Sequence, residues 1–188
     1  DIKQKIFNAV LSTQITEGLS FYTSFACSFF FGYKGKMEGN SKIIGLIARD
    51  ENLHAAITQN IIKYWRDNKD EGFQQVVKDN EQKIYDMYGL AAENEKKWGE
   101  YLFSQGSLLG LNSEMLSGYI EWLANSRLRS LGYNKIFDQP TNPIGGWLNS
   151  FTDSSKVQVA PQETEISSYK IGARDTEIDE EVFEDFDL

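Results

Sequence analysis

Glu51 and His54 stand three residues apart in "GLIARDENLHAAITQN", residues 45–60, and His54 is the only histidine of the chain. On a helix, residues three apart are neighbours on one face. The apolar period of the segment puts Glu51 on the stripe that should face a core, with His54 beside it. A second carboxylate, Glu17, falls on the corresponding stripe of the preceding helical segment. Two carboxylates drawn together out of water lose hydration and repel each other, so a shared proton or a bound cation must relieve them. Carboxylate oxygens with one imidazole suit iron or manganese better than a closed thiolate zinc site would. The residues leave a second reading open, in which Glu51 and His54 hydrogen-bond each other or Arg49 in a polar part of an interface. They also supply only half of a two-metal site. Carboxylate-bridged sites in four-helix bundles take one carboxylate from each of two helices and a Glu-x-x-His pair from each of two others. Here there is one of each.

These side chains need two helices to hold them. Residues 4–32 carry a helical period through Ile6, Val10, Thr13, Glu17, Phe21, Ser24 and Ser28 with no proline. "GYKGKMEGN" reads as a connection. Residues 41–66 form a second helix with a stripe of Ile44, Ile47, Ala48, Glu51, Ala55, Thr58 and Ile62. The short connection predicts an antiparallel hairpin. At ~1.5 Å per residue, Glu17 and Glu51 both lie roughly 22–28 Å from its turn, and so at similar depth.

"RDNKDEG" interrupts the pattern. A third, more polar helix follows over 73–104, with Val76, Val77, Ile84, Met87, Tyr88, Ala91, Trp98 and Leu102 on or near one face. "SQGSLLGLN" is a turn, and Asn112 or Ser113 can cap a fourth helix running to about Leu131. "FDQPTNPIGGWLNSF" reads as extended or irregular chain packed by Phe137, Trp147 and Phe151. The fold class is therefore all-α. The expected division is a helical body over 1–135, an irregular packed segment over 136–160 and an acidic tail over 161–188, mobile when free.

The chain has 188 residues, 40% of them hydrophobic, which is enough for one domain with a real core. Its net charge of −9 argues against nucleic-acid binding. Residues 161–188 hold ten Asp/Glu against Lys170 and Arg174, so the body is close to neutral. No apolar run is long enough to span a membrane, and no secretory signal opens the chain. The one cysteine, Cys27, excludes an intrachain disulfide and fits a reducing, cytoplasmic location. The chain opens on Asp1 rather than Met, which predicts a processed chain, a fragment or one piece of a split protein.

Five stretches, "EGLSFYTSFACSFFF", "MEGNSKIIGLIARDENLH", "YLFSQGSLLGLN", "NPIGGWLNS" and "VQVAPQETEISSY", resemble in order the C-terminal half of the small, radical-generating β subunit of class I ribonucleotide reductase. The likeness is to the enterobacterial and T-even-phage type. It implies part of a ferritin-like helical bundle, a di-iron centre (manganese is also used in the family) and a tyrosyl radical. By motif, Glu17, Glu51 and His54 resemble ligands of the second iron, and Phe21, Phe25 and Ile47 the apolar lining around the radical. Asp50 resembles the carboxylate linking a ligand histidine to a tryptophan on the radical route; its plainer reading is a salt bridge with Arg49. Tyr169 resembles the tyrosine that passes the radical between subunits, and Glu163 an acidic partner in that transfer. "EEVFEDFDL" resembles the segment that docks on the large α subunit, with Val182, Phe183, Phe186 and Leu188 as apolar anchors.

The radical tyrosine, the first-iron ligands and the tryptophan belong to the family's N-terminal half. The resemblance therefore implies three partners: that N-terminal half, the α subunit and a second β unit in a homodimer. It also implies a cytoplasmic location, in the host for a phage-encoded chain. Two alternatives stand beside it. One is another ferritin-like di-iron oxidase or oxygenase, which would not need the tail. The other is a non-catalytic helical binding module, which would bind no metal.

Overall fold

The computed structural model describes residues 1–69 and 72–152. Seven helices follow in order: α1 (Ile2–Leu19), α2 (Tyr22–Tyr33), α3 (Glu38–Asp67), α4 (Phe73–Asp79), α5 (Glu81–Leu102), α6 (Ser113–Leu131) and α7 (Gly145–Thr152). Among the described residues there is no strand. The turn before α6 closes through reciprocal bonds between the backbones of Leu108 and Leu111, both 3.0 Å. The body is an all-α ferritin-like bundle, as the sequence predicts.

Cross-helix hydrogen bonds give the directions. Gln14 pairs with Thr58 and Tyr22 with Asn52, so the number on α3 falls as that on α1 and α2 rises, and the hairpin is antiparallel. Gln4 pairs with Asn80 and Thr23 with Glu95, so α5 runs parallel to α1 and α2. Lys96 reaches Glu121 while Asn134 reaches Tyr85, so α6 returns antiparallel to α5. The core lies between these elements. Phe7, Leu11 and Leu19 of α1 pack there with Ile62, Ile84, Tyr88, Ile120 and Leu128, all fully buried or nearly so. Each such aliphatic or phenyl side chain contributes about 1.5–3 kcal/mol relative to exposure.

Helix α6 has the ends its sequence predicts. The Asn112 side chain accepts from the Met115 amide at 2.8 Å. Gly132, at φ 88°, closes the other end, where the Tyr133 amide bonds the Leu128 carbonyl. The Arg66 guanidinium donates to the neighbouring Leu131 carbonyl. At the α2–α3 connection, α2 passes close to α3. A Cβ at Gly32 would lie 2.7 Å from Ser41 Cβ and nearer still to its Oγ. That Ser41 hydroxyl is buried without a hydrogen-bond partner among the described residues.

Several expectations are corrected. The helix read as continuous over 4–32 breaks at Ser20–Phe21, between α1 and α2. The helix read over 73–104 divides at Asn80. Residues Gly145–Thr152, read as irregular, are helical; Trp147 and Phe151 do pack, stacking on Tyr33 and Phe29 of α2. Finally, the stripe of α1 and α2 that faces the core is Phe7, Leu11, Ile15, Leu19, Tyr22 and Phe25, not the one through Ile6, Thr13, Phe21 and Ser24, which are exposed. On α3 the expected stripe holds at Ala48, Ala55, Thr58 and Ile62, but Ile47 lies outside it. Trp98 and Leu102 of α5 are likewise exposed.

Candidate metal centre

The antiparallel register of α1 and α3 brings Glu17 beside Glu51 and His54. His54 Nδ1 lies 3.2 Å from Glu17 Oε2 and 3.4 Å from Glu51 Oε2. One ligand atom from each of the three residues lies within 4.8 Å of the other two. The group opens to the surface: the Glu17, Glu51 and His54 side chains are 24, 17 and 52% exposed. The carboxylates are half-buried at the edge of the core, not deep within it.

Electrostatics follow from crowding. Glu51 is held above the ordinary carboxylate range, first by its hydrogen bond with Glu17 and then by burial. Glu17 is pulled below that range by the same bond and by His54. The two carboxylates are thus driven apart in their hold on a proton, Glu51 binding it more tightly and Glu17 less. His54 rises above the ordinary imidazole value because both carboxylates favour its charged form, Glu17 first. The three donors fit an oxygen- and nitrogen-seeking transition ion, whose charge would offset the repulsion between the carboxylates. A complete first coordination sphere needs further donors, since this group supplies three.

The residues around the group are placed as follows. Phe25 is buried and meets Tyr22 edge-on at 5.4 Å and Phe21 at 6.1 Å. Phe21, in the α1–α2 break, and Ile47 of α3 are 41 and 40% exposed. Asp50 makes a long contact, 3.9 Å, with Arg49, both exposed. It also lines an open cavity of about 760 Å³, whose walls include Tyr22, Asn52, Tyr119, Trp122 and Arg127. Glu163, Tyr169, Val182, Phe183, Phe186 and Leu188 lie outside the described residues.

Two residues of this neighbourhood escape sequence reasoning. Arg127 of α6 donates to the Gly18 carbonyl at 3.0 Å, the Tyr22 hydroxyl at 3.0 Å and the Asn52 side-chain oxygen at 2.6 Å. Nothing in the sequence marks it out among 19 basic residues. Glu95 of α5 is buried and accepts from the Thr23 amide at 3.0 Å; burial raises its pKa. It lies on the buried stripe Ile84, Tyr88, Ala92, Glu95, Gly99. A carboxylate on an apolar stripe is the same signal that marks Glu51, and it was there to be read.

A helical bundle with a carboxylate–histidine cluster between two antiparallel helices defines a ferritin-like protein with a candidate metal site. The comparisons narrow this. The family profile "Ribonucleotide reductase, small chain" matches residues 1–143, and the chain belongs to that family. It is 43% identical over its full length to the ribonucleoside-diphosphate reductase subunit beta of Buchnera aphidicola from Acyrthosiphon pisum, covering 50% of that protein. The corresponding subunit of Enterobacteria phage T4 is 34% identical over 99% of this chain and 49% of its own. In structure, 77% of the chain overlays 44% of the ribonucleotide reductase R2 subunit from Clostridium botulinum, with a TM-score of 0.67 and 31% identity. The chain spans about half the length of the curated relatives it matches.

Proposed function

We propose that this chain supplies part of the radical-generating β subunit of a ribonucleoside-diphosphate reductase. The observation that carries the reading is the Glu17–Glu51–His54 group: three ligand atoms within 4.8 Å, from two antiparallel helices, in a chain of this family. In this reading the three residues bind one iron of a di-iron centre, with manganese as the alternative ion. Loaded with metal, such a centre supplies the oxidising power that converts a tyrosine to its radical in the presence of oxygen. Glu17 and Glu51 carry the charge that holds the cation, and any proton on them is released to solvent as the ion binds. His54 turns Nδ1 towards the same point, which its neutral form alone can serve. Phe21, Phe25 and Ile47 exclude water and reductants from the radical. Asp50 relays between a ligand histidine and the radical route.

The remaining donors and the radical tyrosine come from the N-terminal part of the family's chain, as a separate polypeptide or a contiguous segment. The exposed side chains Ile6, Phe21, Ile43, Ile47 and Ile57 on α1, α3 and the α1–α2 break support this, since an apolar surface of that extent is usually covered. Glu163 and Tyr169 pass the oxidising equivalent onward. A phenol suits the task because it loses one electron and one proton together. Val182, Phe183, Phe186 and Leu188 anchor the tail on the large α subunit, and two β units form a homodimer.

The test combines this chain with the complementary N-terminal part, ferrous iron and oxygen, and looks for a tyrosyl radical by electron paramagnetic resonance. A radical in the wild type, lost together with bound iron in Glu51→Ala, is the expected result. No radical, with equal iron in wild type and Glu51→Ala, overturns the reading.

A further inference from the structure

We infer that Arg127 is a positioning residue that fixes the spacing of Glu17 and Glu51. The inference rests on the metal-site reading for its function, though not for its geometry. Helix α1 ends at Leu19 and α2 begins at Tyr22, so the break leaves carbonyls without helical donors on one side and amides without acceptors on the other. The Gly18 carbonyl is met by Arg127 Nε. The Thr23 amide is met by the Glu95 carboxylate. The same guanidinium reaches Asn52 on α3 and the Tyr22 hydroxyl, while its plane lies 5.5 Å from the Tyr22 ring.

Gly18 follows Glu17, and Asn52 follows Glu51. One rigid, planar cation from α6 therefore grips the residue next to each carboxylate, from the side of the hairpin away from His54. Its acceptors are three neutral oxygens, and among the described residues it forms no ion pair. Charge-assisted bonds of this kind are stronger and more directional than neutral ones. A lysine is a point charge and cannot hold three acceptors in a fixed fork. Without the grip, the α1–α2 break is free to shift and Glu17 leaves the group.

The test uses the whole 188-residue chain as wild type, Arg127→Gln, Arg127→Lys and a control, Val77→Ala, which opens a core cavity on α4 away from the site. Two readouts run side by side. In the metal-free chain, nuclear Overhauser contacts from the His54 ring to the Glu17 side chain report the spacing; one histidine in the chain makes the ring signals unambiguous. In titrations, manganese(II) affinity is read from the paramagnetic resonance of the free ion. Arg127→Gln should lose the His54–Glu17 contacts and weaken manganese binding about tenfold or more, with helix content retained. Arg127→Lys should fall between it and wild type. Val77→Ala should unfold more easily yet keep both readouts. Contacts and affinity unchanged in Arg127→Gln, or lost equally in Val77→Ala, overturn the inference. If the chain completed by the N-terminal part binds no manganese while the contacts still depend on Arg127, the metal reading falls and the clamp stands.

Discussion

The two sides of the α1–α3 hairpin are built differently. Towards α5 and α6 the side chains interlock: Phe7, Leu11 and Leu19 are fully buried, the polar groups Gln14 and Thr23 are paired, and Arg127 and Glu95 close the helix break. On the other side lie Ile6, Phe21, Ile43, Ile47 and Ile57, exposed, with the Glu17–Glu51–His54 group opening between the helices. One side is a finished core; the other has the composition of a core without its covering. In the proposed reading, the inner side fixes where the ligands stand, while the outer side decides what they can hold.

The largest expected contrast is between two phenylalanines. Phe7→Ala should cost about 3–5 kcal/mol by urea denaturation, the usual range for a buried ring. Phe21→Ala in the same chain should cost less than about 1 kcal/mol, since the ring is 41% exposed. Equal losses would erase the distinction between the sides. Next comes the site itself. Glu51→Ala should reduce manganese affinity by more than about 100-fold, beyond what loss of a supporting partner costs. Its effect on unfolding should be small, because the group lies at the edge of the core.

The pH dependence separates the sides further. His54 and Glu51 both hold protons more tightly in the folded chain. Their contribution to metal-free stability is full below their ordinary values and fades as pH rises through the raised ones. Glu17 runs the opposite way, and its contribution fades as pH falls through its lowered value. Metal binding competes with the first two protons, so affinity should climb as pH rises past the ordinary imidazole value near 6.5. Calorimetric titrations across pH 5–8 check this; a flat profile would mean that these protons do not compete with the metal. The smallest effect is expected at Asp50. Asp50→Asn should change stability by less than about 0.5 kcal/mol, as its contact with Arg49 is long and exposed. In the reconstituted β subunit the same variant should slow radical transfer, which a stopped-flow measurement resolves.

The sequence carried the hairpin and the proximity of Glu17, Glu51 and His54, because both depend on period and distance along a regular helix. It did not carry the face of α1. That helix is apolar on two sides, Ile6 and Val10 on one and Phe7 and Leu11 on the other, and a helix of this kind expects cover all round. Period alone cannot choose between them. The α1–α2 break was invisible for a related reason: "EGLSFYT" contains no proline, and the interruption is sustained by Arg127 and Glu95, more than 70 residues away. Helix α7 was missed because Pro140, Pro143 and a glycine pair read as irregular chain, whereas Asn142 accepts from the Ile144 amide just before the helix starts. Arg127 gave no local signal, since its acceptors are brought together only by the packed helices.

Gly32 and Ser41 form a lock with a historical consequence. Gly32 cannot change while Ser41 stays, because any side chain at Gly32 collides with Ser41, whose own hydroxyl is buried without a partner among the described residues. Among descendants of this chain, Ser41→Gly, which removes both the hydroxyl and the Cβ, should therefore be the permissive first step, and Gly32→Ala should follow it rather than precede it. The two positions should drift as a pair, in that order, and the closeness of α2 to α3 should outlast the residues that now define it.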